Sequence, residues 1–200
     1  MPTARPHTGR RRNDAARRAI LDSATQLLAH SGTAVTIADI AGAAGVSKQT
    51  IYRWWPSKGA VLLEAMGEWA RSSAPDRDTG SLREDLATFL TATFTAAATP
   101  PATALLRAVV AEAQTDPATT ELLAAFAADR RTVAHRILDR ARTRGELPTD
   151  ADLELLVDQI YGVLWYRLTV ARTPVTAEIA TRLANSLAPP ASGGRVPGNE

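Results

Sequence analysis

The side chains best suited to chemistry cluster in TIADIAGAAGVSKQTIYRWWPSK, residues 36–58. They are cations and hydrogen-bond donors: Lys48, Gln49, Thr50, Tyr52, Arg53, Trp54 and Lys58. No nucleophile stands beside a base, and the three histidines, His7, His30 and His135, are scattered. The chain has no Cys, which excludes disulfides, thiolate zinc sites and cysteine nucleophiles. It carries no GxGxxG, Walker, HExxH or GxSxG pattern, and no paired carboxylates flank a recognisable site. An enzyme, a cofactor and a metal centre are therefore not expected. The chemistry on offer is recognition of a polyanion.

Two short helices, IADIAGAA and SKQTIYRW, meet at Gly45-Val46. Ala41 and Ala44 are small enough for the helices to approach closely, and Ile40, Val46 and Ile51 are spaced to share one small core. The second helix is polar on its free face. A helix of this kind enters a major groove about 12 Å wide and presents side chains to base edges. Lys48, Gln49, Thr50, Arg53 and Trp54 are the candidates. The Tyr52 hydroxyl suits a phosphate. Lys58, opening the next helix, suits a phosphate clamp, aided by exposed amides and the helix dipole. Phosphate contacts set register, and base contacts set sequence preference. By itself, an Ala-rich hairpin followed by charges is also compatible with a plain helical hairpin.

Charge favours the nucleic-acid reading. Residues 1–60 hold nine basic and three acidic groups, net +6, and the remainder is net −4. A cationic N-terminal third suits a polyanionic partner. The chain is 45% hydrophobic and 22% charged over 200 residues, enough for a real core and too apolar for a wholly disordered chain. No apolar run approaches the roughly 18 residues needed to span a bilayer. The start, MPTARPHTGRRRND, is not a secretory signal, and a cytoplasmic protein without membrane contact is expected.

The elements that position these residues are helical throughout. Residues 1–12 read as a mobile basic arm containing Arg10, Arg11 and Arg12. A first helix is expected from about Asp14 to His30, with Ile20, Ala24, Leu27 and Leu28 inward. Thr36, with Asp39 three residues on, resembles a capping box for the second helix. Ser47 caps the third, and Ser57 caps a fourth after Pro56. Helix 5 is expected over 81–98, helix 6 over 102–115 after Pro100-Pro101, and helix 7 over 117–144. Asp150 is expected to cap helix 8 over 151–171, an apolar pattern of almost six turns, and Thr176 opens helix 9. Residues 189–200 read as a disordered tail.

Residues 14–60 resemble the DNA-binding domain of the TetR/AcrR family of transcriptional regulators. The resemblance rests on ILDSATQLLAHSG in the first helix and on Thr36, Ile40-Ala41, Ala44-Gly45-Val46-Ser47, Thr50-Ile51-Tyr52, Trp55 and Lys58. Residues 148–168, PTDADLELLVDQIYGVLWYRL, also look like the long dimerisation helix of one subgroup. Two positions depart from the pattern. Trp54 stands where the family usually has a smaller aromatic or His, and Gly59 where an acidic residue is common. Gly59 is expected to cost up to about 1 kcal/mol relative to Ala in the first turn of its helix.

The resemblance implies an all-α fold of about nine helices. A three-helix helix-turn-helix domain over 13–57 is joined by a linking helix to a helical bundle, with ligand binding and dimerisation assigned to 58–188. It implies phosphate contacts from Thr36, Tyr52 and Lys58, base contacts from Lys48, Gln49 and Thr50, and either role for Arg53 and Trp54. Ile40, Ala41, Val46, Ile51 and Trp55 would be core. The implied partners are double-stranded DNA with a palindromic operator, a second copy in a homodimer, and a small apolar effector. Trp69, Phe89, Phe94, Phe126, Tyr161 and Trp165 would line the effector pocket, unless they are ordinary core. Leu153, Val157, Ile160, Leu164, Leu168, Ile179 and Leu183 would form the dimer face. His135 and Asp158 are expected at the surface or the dimer rim. The implied function is a repressor released by its effector. An effector-independent DNA-binding protein and a helical protein-interaction module are the alternatives.

Overall fold

The computed structural model describes residues 8–71 and 75–188. Residues 1–7 and 189–200, expected as arm and tail, lie outside the described residues, as do the side chains of Arg10, Arg11, Arg12 and Trp69. Among the described residues there are nine α-helices and no strand, as expected for an all-α fold. The described residues fall into two compact units, one within the stretches 1–69 and 100–126 and the other within 70–99 and 127–200. This partition differs from a boundary at 57/58, because later helical segments cluster with the N-terminal ones.

The first unit begins with α1 (Thr8–Ser31), which starts six residues ahead of the expected Asp14. Thr8–Arg12, read as part of a mobile arm, is therefore helical. A 3₁₀ turn, Gly32–Ala34, leads to α2 (Ile37–Ala43), α3 (Lys48–Tyr52) and α4 (Lys58–Arg71). α6 (Pro100–Ala113) packs against α1. It begins at Pro100, not after Pro101. Proline's missing N–H falls where a helix start has no acceptor for it, and its fixed φ suits the first turn. Ile20, Leu21, Ala24 and Leu28 of α1 join Ile40, Ile51, Leu62, Leu105 and Val109 in a buried core.

The second unit contains α5 (Leu82–Ala97), most of α7 (Pro117–Thr143), α8 (Leu153–Trp165) and α9 (Ala177–Leu187). Its core includes Phe89, Phe94, Ile137, Leu138, Val157, Ile160 and Ala184. α5 and α9 pack closely, and Arg83 donates to Asn185 Oδ1 at 2.5 Å. Asp152, not Asp150, caps α8, accepting from Leu155 N–H at 3.0 Å. A turn closed by Ala151 N–H to Pro148 O at 3.1 Å consumes Asp150 and moves the helix start. α8 then passes into a π-helical turn, Tyr166–Val170, where the Thr169 hydroxyl donates to Trp165 O at 2.6 Å.

Arginines on α7 and in the turn after it hold the segment before α5. Arg136 and Arg140 both bond Asp76, at 2.7 and 2.8 Å, and Arg144 bonds Asp78 at 2.9 Å. The spacing of four places Arg136 and Arg140 on one face of α7, and Arg144 follows in the turn just past its end. Asp85 is buried, accepting from the Thr79 N–H and hydroxyl at 2.8 and 2.7 Å, with Arg144 at 3.4 Å.

Candidate nucleic-acid interface

Local chemistry sets the helix-turn-helix. The Thr36 hydroxyl accepts from Asp39 N–H at 3.3 Å, and Asp39 Oδ2 accepts from Thr36 N–H at 2.8 Å. This is the expected capping box. The Thr36 hydroxyl and N–H hold the Asp39 carboxyl below the usual carboxylate range. Just past the Ala44 cap of α2, Gly45 has a φ of +64°, the left-handed conformation that favours glycine, and turns the chain. Ser47 Oγ then accepts from Thr50 N–H at 3.2 Å and starts α3. Ile40, Ala41 and Ile51 are buried and Val46 is half-buried.

The outward face of α3 holds most of the expected donors. Lys48, Gln49, Tyr52 and Arg53 are exposed, and Tyr52 keeps 52% of its surface accessible. Thr50 is half-buried, with its hydroxyl 3.0 Å from Ser47 Oγ. Thr36 is exposed, but its hydroxyl also donates to Asp39 at 2.7 Å, so its proton is already engaged. Trp54 is half-buried, edge-on to Trp55 at 5.5 Å between ring centroids, and the Arg53 guanidinium lies 5.4 Å from the Trp54 ring centre. This cation–π contact draws Arg53 and Trp54 together at the end of α3.

Two acidic residues absent from the sequence expectations govern the next segment. Trp55 is buried, and its indole N–H donates to Glu64 Oε2 at 2.7 Å. Arg17 pairs with the same carboxylate. Glu64 thus ties α4 to both α1 and the residue closing the helix-turn-helix. Lys58 Nζ lies 2.7 Å from Glu112 Oε2 on α6. Glu64 lies on the same helix as Lys58, so a search of charged residues on α4 would have flagged it. Glu112 has no such local signal, because it is 54 positions away from Lys58 in sequence.

The residues named for an effector pocket lie in different settings. Phe89 and Phe94 are fully buried, while Phe126 and Trp165 are half-buried. The Tyr161 hydroxyl donates to Arg130 O at 2.5 Å, and burial pushes its pKa up to about 12. The Trp69 side chain lies outside the described residues. An open cleft of about 530 Å³ is lined by no Phe, Tyr or Trp side chain: its walls are His135, Arg136, Asp139, Arg142, Asp152 and Glu154 with Ala151 and Leu153. His135 Nε2 is 3.1 Å from Glu154 Oε1, and Asp158 pairs with Arg131. Among the described residues no group of three or more His, Cys, Asp or Glu could hold a metal ion. No single described helix is long and apolar enough to cross a membrane.

The residues named for a dimer face divide. Val157, Ile160, Leu164 and Leu168 are buried within their own protomer, and Leu153, Ile179 and Leu183 are half-buried. The exposed apolar residues of the same segment are Leu155, Tyr166 and Val170. A helix apolar around more than half its circumference can turn either stripe inward, and packing in the second unit selects the 157–160–164–168 stripe.

Comparison with known proteins agrees with this architecture. Residues 20–65 match the family described as "Bacterial regulatory proteins, tetR family", and residues 76–187 match "Tetracyclin repressor-like, C-terminal domain". The HTH-type transcriptional regulator YdeS of Bacillus subtilis, itself uncharacterized, is 34% identical over 81% of this chain and 82% of its own. The HTH-type transcriptional regulator AqdR of Rhodococcus erythropolis is 30% identical over 86% of this chain and 85% of its own. The crystal structure of the TetR family transcription regulator SCO0332 matches with a TM-score of 0.65 and 36% identity, over 86% of this chain and 96% of that one. FadR from Bacillus subtilis, solved in complex with stearoyl-CoA, shares the fold with a TM-score of 0.69 at 19% identity, over 86% of this chain and 97% of that one. The two family matches, the curated relatives and the helix-turn-helix geometry agree: this chain belongs to the TetR family of DNA-binding, helix-turn-helix transcriptional regulators, which are not enzymes.

Proposed function

We propose that this regulator is a cytoplasmic repressor that binds a palindromic operator as a homodimer and is released by a small apolar effector. The carrying observation is the exposed donor face of α3, with Lys48, Gln49, Tyr52 and Arg53 free of the core. Lys48, Gln49 and Thr50 read base edges, Tyr52 and Lys58 bind phosphate, and Arg53 and Trp54 act together at the helix end. Thr36 reaches phosphate only by redirecting its hydroxyl from Asp39.

One helix-turn-helix reads too few base pairs for genomic selectivity, and a two-fold dimer doubles the reading. Leu155, Gly162, Tyr166 and Val170 are exposed along one side of α8 and the π turn. Open space lies where a Cβ on Gly162 would point, which allows a second helix to come close. This stripe, with the half-buried Ile179 and Leu183 of α9, is the proposed dimer face. The dimer holds its recognition helices about 34 Å apart, one turn of B-DNA. An effector releases the operator by favouring a different spacing, through coupling of about 1–3 kcal/mol. Long acyl chains are the first class to try, because the FadR neighbour was solved with stearoyl-CoA.

Fluorescence anisotropy on duplex DNA from upstream of the regulator's own gene tests the reading, with scrambled DNA as control and a salt series. Expected are two protomers per palindrome and affinity that falls with salt at a slope near −0.9 per phosphate neutralised. An effector that binds yet leaves operator affinity unchanged overturns the release mechanism. Absence of binding to any duplex at low salt overturns the DNA interface.

A further inference from the structure

Ser57, Lys58 and Gly59, where α4 begins, face the end of α6, the elbow after it and the first turn of α7. Lys58 pairs with Glu112 at 2.7 Å, and the two side chains are only 22% and 24% exposed. Ser57 caps α4, accepting from Ala60 N–H at 3.2 Å, and hydrogen bonds from the Thr119 hydroxyl first, with Ser57 a smaller contributor, hold the Asp116 carboxyl below the usual carboxylate range. Gly59 is buried against Thr119, whose hydroxyl donates to Asp116 Oδ2 at 2.5 Å. The elbow therefore presents two carboxylates to the helix start that, on the reading above, meets a DNA phosphate.

We propose that Glu112 is an internal competitor for DNA: it occupies the Lys58 ammonium in the free protein, and operator binding requires the exchange of this carboxylate for a phosphate. Two anions cannot share one ammonium without repelling each other, so the pair and the phosphate contact oppose. The exchange moves Lys58 away from the elbow, and a shift of the elbow in turn changes DNA affinity, because such coupling is reciprocal. Glu112 touches no base and acts through Lys58, which makes it a positioning residue. The inference rests on Lys58 being a phosphate ligand.

The test is a double-mutant cycle with E112Q, K58Q and the double variant. Each is measured on scrambled and upstream duplex across a salt series, with circular dichroism to confirm folding. E121Q, which removes one exposed charge from α7, controls for net charge. E112Q is expected to tighten binding about five- to tenfold at 0.1 M salt with little change in the salt slope, because Lys58 neutralises the same phosphate in both complexes, whereas K58Q should flatten the slope by about 0.9. In the K58Q background E112Q should do no more than E121Q does in the wild type. An E112Q gain that is absent, reversed, or undiminished by K58Q overturns the proposal while leaving DNA binding intact. If none of the proteins binds any duplex, the DNA reading has failed and the competition falls with it.

A spectroscopic readout separates competition from general loosening. Lys48 and Lys58 are the only lysines in the chain. Reductive ¹³C-dimethylation keeps their charge and labels both. The Lys58 signal should move on E112Q substitution without DNA, and the Lys48 signal only when duplex is added. A Lys58 signal indifferent to E112Q overturns the proposal.

Discussion

A Cβ added to Gly59 would lie 1.8 Å from Thr119 Oγ1, so glycine at this position is what lets α4 approach the start of α7. Thr119 is fully buried and cannot swing into solvent without giving up its bond to Asp116. The sequence expectation that Gly59 merely weakens its helix is therefore incomplete.

Gly59→Ala should lower stability by about 1–3 kcal/mol, the usual cost of overpacking. Gly42→Ala is the matched control. It is the next-to-last residue of α2, with nothing within 4 Å of the new Cβ, and should raise stability by up to about 1 kcal/mol. Urea unfolding of both variants checks the opposite signs. Stabilisation by Gly59→Ala would mean that the close approach is not real.

Glu64 joins Trp55 to Arg17. Glu64→Ala leaves a buried indole N–H without its acceptor, at a cost of about 1–3 kcal/mol. Glu64→Gln keeps an acceptor for Trp55 and loses the charge for Arg17, and should recover much of that loss. Thermal unfolding of the two variants distinguishes the indole bond from the ion pair. Equal loss in both would assign the stability to Arg17.

Stability should fall in acid. Burial acts to raise the Asp76 carboxyl, but hydrogen bonds from Arg136 and Arg140 outweigh it and hold the group below its ordinary range. Arg131 lowers Glu154 in the same sense. The unfolded chain takes up protons at these groups first. Their stabilisation is thus present above the ordinary carboxylate values near about 4 and is lost as pH falls through the lower folded values. Asp76→Asn should melt about 2–4 °C below wild type at pH 7, and the gap should close near pH 2. A gap that stays constant with pH would refute the assignment.

Tyr166 and Val170 sit on the exposed side of the π turn, while Val157 lies inside the protomer. Tyr166→Glu with Val170→Glu should give a folded monomer by analytical ultracentrifugation, with operator binding weakened at least tenfold. Val157→Ala should instead leave assembly intact and cost about 0.5–3 kcal/mol of stability. Assembly that survives the double substitution would move the dimer contact elsewhere.

Much of this protein follows from sequence alone because helix formation is local. The capping box of Thr36 and Asp39, the Ser47 cap, the left-handed Gly45 and the inward period of Ile20, Ala24 and Leu28 all act across three or four residues. Family membership was legible for the same reason, since its signature lies in one uninterrupted stretch. Local signals reached their limit where two choices were chemically equal. Asp150 and Asp152 can each cap a helix, and either stripe of α8 is apolar enough to face inward. A local turn closed by Ala151 N–H to Pro148 O decided the cap, and tertiary packing decided the stripe. It alone also brought together Lys58 and Glu112, Trp55 and Glu64, and Gly59 and Thr119. These pairs are separated by 9 to 60 positions, and no backbone periodicity links their ends; the free energy of each contact exists only once the helices have packed.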